Sequence, residues 1–290
     1  MSELRRGYIF GFIGIAIFAL TLPFTRLAVR EFDPLFLSIG RTVLAAGVAI
    51  PILAFNKQPW PNLADFYKLL FVVAGVVFGF PIFSAIAMRS APASHSAVVL
   101  GALPLATALM STIFAGERPS LTFWGWSILG SALVIAFALL DGGAELHSAD
   151  ILLIMAVLAA SMGYAAGGQL SRKLGGWQVI CWALIVALPI SLPITLYLAR
   201  NITGHESLVG WGCFAYMSFM SQLLGFFAWN KGLATGGVAK VGQVQLLQSF
   251  ISLLVAATIL GETISPRTII FALLVAACVW FGRNAHVKRA

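Results

Sequence analysis

Ten apolar stretches of about twenty residues each occupy most of this 290-residue chain: 7–28, 35–55, 66–88, 94–115, 121–140, 150–170, 177–199, 208–230, 237–260 and 267–284. Nothing else in the sequence constrains the fold as tightly. Runs of this length read as membrane-spanning helices. Hydrocarbon offers no hydrogen bonds, so a spanning backbone must satisfy itself within a helix or around a closed barrel. Barrel strands alternate apolar and polar residues, whereas these runs are continuous, and helices are therefore predicted. Only 10% of residues are charged and 60% are hydrophobic, with a mean hydropathy of +0.96, against about 25% charged in a soluble domain. The connections are too short for a soluble domain. The expected fold class is an all-α integral membrane protein with ten transmembrane helices. Six residues before the first span are too few for a cleaved leader, so that span is expected to persist as a signal-anchor.

The net charge of +8 is accounted for by orientation and not by nucleic acid. With the N-terminus cytoplasmic, one side carries Arg5, Arg6, Lys57, Lys68, Arg118, Arg172, Lys173, Lys231, Lys240, Arg283, Lys288 and Arg289. The other carries Arg26, Arg30, Arg89, Arg200 and Arg267, and Arg41 lies within a span. Twelve against five places both termini in the cytoplasm by the positive-inside rule. The expected location is the inner (plasma) membrane. Cys181, Cys213 and Cys278 sit singly in apolar spans and suggest packing rather than a disulfide or metal set. No metal or cofactor is expected.

The chain also repeats itself. "IFAGERPS" (113–120) is echoed by "TILGETIS" (258–265), with Gly116-Glu117 recurring as Gly261-Glu262 and Ser120 as Ser265, at an offset of 145. The same shift lays span 4 on span 9 and span 5 on span 10. Residues 1–145 and 146–290 then each hold five spans. Five is odd, so the second half must enter the membrane in the opposite sense, as an inverted repeat. The Gly-Glu turn reads as a structural helix hairpin, with Glu117 or Glu262 near the next N-terminus and Ser120 and Ser265 as N-caps. All ten acids are placed at span ends or in loops, where solvation costs little.

Two five-span halves with Gly-Glu after each fourth span resemble the drug/metabolite transporter superfamily in its EamA-type branch. The segments "FFAWNKGLATGGVAKVGQVQLLQSF" (226–250) and "GRTVLAAGVAIPI" (40–52) are similar to that family's typical sequences. The resemblance implies a membrane transporter of metabolites, closest in character to the amino-acid exporters. It does not name the cargo.

Inverted-repeat carriers hold substrate near mid-membrane, between the halves. Polar residues inside spans mark such a cavity or helix–helix hydrogen bonds. In span 9, Gln245, Gln248, Ser249 and Ser252 share a helical face at i, i+3, i+4 and i+7. Their span 4 counterparts, Leu100, Leu103, Pro104 and Thr107, are largely apolar. A polar and an apolar wall suit a molecule with a polar head and an apolar side chain. In span 8, Ser218, Gln222, Gly225 and Trp229 share a face and Asn230 follows; Phe80 and Ser84 belong to the matching face of span 3. Trp229 suits either a pocket or the interfacial belt. Tyr164 in span 6 is a similar candidate. His95, entering span 4, can titrate near neutral pH or simply be solvated. The candidate substrate-binding set is Phe80, Ser84, His95, Leu103, Tyr164, Gln222, Trp229, Asn230, Gln245, Gln248 and Ser249. Arg41 reads as structural, holding carbonyls or snorkelling, with a substrate carboxylate as the other option. Pro23 and Pro81 are hinge candidates, static kinks being the alternative.

Absences narrow the function. No GxxxxGK[ST] loop is present, so neither ATP nor an ATPase subunit is implied. No HExxH, GxSxG or intramembrane aspartate supports an enzyme. Without a carboxylate at depth, facilitated export by alternating access, with no obligatory ion, is the expected mechanism. Amino acids are the expected substrates. Export of drugs, nucleosides or sugars, and an enzyme acting on lipid-linked substrates, are the competing readings.

Overall fold

A computed structural model provides the fold, and it describes residues 2–90, 99–142, 149–252, 254, 266–282 and 284–288. These are almost wholly helical. Helix α1 (Glu3–Ala19) is capped by the Ser2 hydroxyl and continues after a one-residue break as α2 (Thr21–Ala28). The break has a clear cause. Pro23 has no N–H for the carbonyl of Ala19 four residues earlier, and Ala19 is fully buried. The Ser252 hydroxyl, from the far half of the chain, donates to that carbonyl at 2.7 Å.

Helix α3 (Pro34–Phe55) starts at Asp33, whose carboxylate accepts from Leu35 N at 2.8 Å, with proline at the first helical position. The third long helix comprises α4 (Leu63–Val72), a π segment (Val73–Gly79) and α5 (Phe80–Ser90). Then come α6 (Leu103–Phe114), α7 (Leu121–Gly142), α8 (Ala149–Leu174) and α9 (Gly176–Leu198). The next helix runs as α10 (Leu208–Ala215), a second π segment (Tyr216–Leu224) and α11 (Gly225–Gly236). Helix α12 (Val238–Gly242) passes into a 3-10 segment (Gln243–Leu247), and α13 (Pro266–Gly282) is the last helix described. Two short strands, β1 (Arg118–Pro119) and β2 (Val287–Lys288), pair antiparallel.

Five described helices are long and apolar enough to cross a membrane: Glu3–Ala28, Pro34–Phe55, Leu63–Ser90, Ala149–Leu174 and Gly176–Asn201. Shorter apolar helices occupy Leu103–Phe114, Leu121–Phe137 and Ile269–Gly282. The outer surface is apolar, with Ile113, Leu196 and Leu273 each more than 60% exposed. Water does not tolerate such a surface over a whole molecule, and lipid does. The chain is a multi-pass membrane protein.

Small residues set the tightest contacts. α1 packs along α11, and a Cβ on Gly232 would lie 2.6 Å from Gly11 N. α8 packs along α4, α5 and the π segment between them, where a Cβ on Gly75 would lie 2.8 Å from Gly163 Cα. Side-chain-free backbone approach of this kind is how helices associate without a hydrophobic driving force between them.

Polar contacts mark two ends of the bundle. At one, Lys173 Nζ meets Asp65 Oδ2 at 2.6 Å, Arg172 meets Glu117, and Arg118 is paired with Lys288 on the strands. At the other, Arg89 meets Asp33 at 3.1 Å, and Glu31 accepts from the Ser207 amide at 2.7 Å and hydroxyl at 2.8 Å. The expectation that every acid sits where solvation is cheap is corrected here. Glu117 is fully buried and Asp65 nearly so, each held by a cation that replaces water.

Candidate functional site

The most polar feature of the interior is built on α3 and the second π segment, which pack together. Arg41, only 4% exposed, donates from Nε to Gln222 Oε1 at 2.9 Å and from Nη2 to the same oxygen. Two donors on one oxygen fix which way the amide points. Gln222 Nε2 is left as a buried donor without a partner. The π segment matters here, since its wider turn places Gln222 out of α-helical register; such turns recur at functional sites.

Two turns further on, Trp229 is fully buried and its Nε1–H has no partner. This removes the interfacial-belt option. Its ring lies 5.3 Å from that of Tyr164, nearly edge-on at 67°. Phe18 stacks on Tyr164 at 6.5 Å and lies 6.2 Å from Trp229, and Phe226 closes the cluster at 5.0 Å from Phe18. Spans 1, 2, 6 and 8 thus bring together one guanidinium, one carboxamide, one indole N–H and an aromatic wall. Phe18 and Phe226 carry no polar signature and escaped the sequence reading.

A second polar group lies on the 3-10 segment. Gln243 and Gln245 are both buried, and both Nε2 atoms lack partners. The Gln245 Oε1 accepts from the Thr107 hydroxyl at 3.3 Å. The face read for span 9 keeps its register through the 3-10 turn, because side chains three residues apart eclipse there, but its burial is uneven. Gln243 joins Gln245 in the interior, Gln248 and Ser249 are only half-buried, and Ser252 turns to the Ala19 carbonyl. Gln243 was missed because it is off the face that α-helical spacing predicts.

The remaining candidates divide. Leu103 and Phe80 pack in the same apolar core as Tyr164 and Trp229. Ser84 is satisfied locally by the Phe80 carbonyl four residues earlier at 2.6 Å, the usual back-bond of a serine within a helix. Asn230 donates to the Gly176 carbonyl at 3.2 Å and fastens α11 to the start of α9. His95 lies outside the described residues.

The Gly-Glu turn also differs from expectation. Ser120 does cap α7, accepting from Phe123 N at 3.3 Å. Glu117 does not serve the helix that follows it. Its carboxylate accepts from Val238 N at 2.9 Å and Ala239 N at 2.7 Å, and Arg172 donates to it at 3.0 Å. Val238 can present its N–H because Gly237 adopts φ +94° before it. One carboxylate therefore ties together the 4–5 turn, the end of α8 and the start of α12. The same turn lines a cavity of about 680 Å³ with Thr112, Arg118, Trp124 and Lys288, away from the buried cluster.

These features define a helical membrane protein with hydrogen-bonding capacity held in reserve at its centre. The EamA-like transporter family matches the chain twice, over residues 5–140 and 147–281, and the chain belongs to that family, within the drug/metabolite transporter superfamily. It is 42% identical over 284 residues to "Uncharacterized transporter YdeK" of Bacillus subtilis (strain 168), covering 98% of this chain and 99% of the other. It is 26% identical over 290 residues to a "Probable amino-acid metabolite efflux pump" of Salmonella typhimurium, covering 92% and 91%. A solved crystal structure with 16% identity superposes with a TM-score of 0.77 over 96% of this chain and 98% of that one, a likeness of fold alone.

Proposed function

We propose that this transporter exports small amphipathic metabolites, amino acids foremost, by alternating access about the Arg41–Gln222–Trp229 cluster. The observation that carries the proposal is the set of buried donors without partners, Gln222 Nε2 and Trp229 Nε1, the second on a ring packed against Tyr164. A buried unsatisfied N–H costs about 1–3 kcal/mol, and a ligand's oxygens relieve that cost. Interhelical fastening does not require it. The relatives named for amino-acid export or efflux support the substrate class.

The architecture proposed is ten helices in two inverted halves, 1–145 and 146–290, in the inner membrane with both termini cytoplasmic. Two features support it. Adding 145 to the π segment at 73–79 gives 218–224, inside the second π segment at 216–224. The packing is reciprocal as well: exchanging span 1 for 6 and span 8 for 3 turns the α1–α11 contact into the α8–α5 contact. A pseudo-two-fold axis produces both. The basic end at Arg118, Arg172, Lys173 and Lys288 is the cytoplasmic one by the positive-inside rule. Substrate and bilayer are the partners proposed, without ATPase subunit, nucleic acid, metal or cofactor. Among the described residues the two buried carboxylates, Glu117 and Asp65, are held by cations at one end of the bundle. The mechanism is therefore facilitated efflux.

Uptake into proteoliposomes from a panel of labelled amino acids, nucleosides, sugars and cationic drugs tests this reading. Saturable uptake of amino acids is expected. Uptake confined to another class would replace the substrate, and inactivity towards all would favour a function other than transport.

A further inference from the structure

Resting on that reading of the site, we infer that Arg41 is the counter-charge for a substrate carboxylate. The transporter thus selects anionic head groups and rejects cationic ones.

The physical problem is the charge of Arg41. It lies within a span at 4% exposure, where an ionised side chain is costly unless it is compensated. The ion pairs among the described residues are Arg89–Asp33, Arg172–Glu117 and Lys173–Asp65, and none includes Arg41. Its described hydrogen-bond partner is a neutral carboxamide oxygen, which leaves the charge uncancelled. A guanidinium offers five N–H donors in a planar fork. Two are used on Gln222 Oε1.

The surrounding groups reinforce the same polarity. By occupying Oε1, Arg41 removes the acceptor of Gln222 and leaves its donor, Nε2. Trp229 Nε1 is a donor with no acceptor capacity. The cluster accordingly offers guanidinium, amide and indole hydrogens. A carboxylate supplies acceptor lone pairs and the missing negative charge together, in the geometry guanidinium recognises best. Phe18, Tyr164 and Phe226 provide the wall for an apolar body. An amino acid's ammonium can lie over these aromatic faces, but an amine without a carboxylate leaves Arg41 uncompensated and adds a like charge. The repeat counterpart of Arg41 is Val186 and that of Gln222 is Val77, so only one half provides the anion seat.

The test uses the purified full chain and four compounds sharing one apolar side chain: the amino acid, its N-acetyl acid, its amide and its decarboxylated amine. Binding is read by thermal shift and titration, and transport by counterflow. Both acids should bind, and the amide and amine should bind at least about tenfold more weakly, a factor equivalent to about 1.4 kcal/mol. Arg41→Gln removes the cation but risks misfolding, so Gln222→Glu is the decisive variant. It places an internal carboxylate against Arg41 at nearly unchanged volume. It should fold as stably as the wild type and lose at least about tenfold of its affinity for both acids. Amide and amine binding as tightly as the acids, or Gln222→Glu retaining full acid affinity, overturns the inference and leaves a transporter with a different head-group site. No binding or exchange by any member of the panel overturns the amino-acid reading and this inference together.

Discussion

Glu117 and Val238, 121 positions apart, meet through a 2.9 Å hydrogen bond from the Val238 amide to the Glu117 carboxylate. The acid is fully buried and is also held by Arg172, which makes a two-residue turn motif into a clasp between the halves of the chain. Glu117→Ala leaves two amides and a guanidinium without their acceptor. A loss of about 2 kcal/mol is expected, since hydrogen bonds to charged groups contribute about 1.5–3 kcal/mol. Ser120→Ala, which removes only an N-cap, should cost about 1 kcal/mol. Thermal or denaturant unfolding in detergent gives the order. Equal losses for the two variants would demote the clasp.

The Pro23–Ser252 relationship predicts an energetic coupling. Ser252→Ala alone should destabilise by about 0.6–1 kcal/mol, the usual worth of an interhelical hydrogen bond in a membrane. In a Pro23→Ala background the chain supplies its own N–H to Ala19, and the serine should then matter far less. A double-mutant cycle measures this. Additive effects would mean that Ser252 acts elsewhere.

Trp229→Phe removes the indole N–H together with one of the two fused rings. Because Nε1 has no partner within the protein, no internal hydrogen bond is lost, and the stability cost is that of the cavity left at a fully buried site, about 1–3 kcal/mol. Substrate affinity should fall about five- to tenfold, as expected for one hydrogen bond of about 1–1.5 kcal/mol. A large drop in Tm with unchanged transport would instead assign the indole to packing.

How much of this was open to sequence reading follows the range of each interaction. The long apolar runs report on lipid directly, and helix formation within them follows from the backbone alone. The Ser120 cap is local and was legible. The Glu117 clasp, the Arg41–Gln222 pair 181 residues apart and the Ser252–Ala19 bond are tertiary, and no spacing within one helix encodes them. The π and 3-10 segments were hidden for another reason. They shift register by a fraction of a turn and have no composition of their own, so α-helical spacing gave no sign that Gln243 is buried as Gln245 is. Tyr164, Gln222 and Trp229 stand out in the sequence because polar or amphipathic groups deep in apolar runs are costly.

The inverted halves proposed for the chain make a topological prediction. In a cysteine-free background, single cysteines at Ser120 and Ser265 should be reached by an impermeant thiol reagent from opposite sides, Ser120 from the cytoplasm. Labelling of both from one side is incompatible with an inverted repeat.

The central claim, a carrier moving its substrate down its own gradient, is tested most directly by counterflow in proteoliposomes without a pH or sodium gradient. Labelled zwitterionic substrate outside should exchange with unlabelled substrate inside, at a rate unaffected by a proton ionophore. Accumulation against the substrate gradient, driven by an imposed ion gradient and lost on its collapse, would contradict the account.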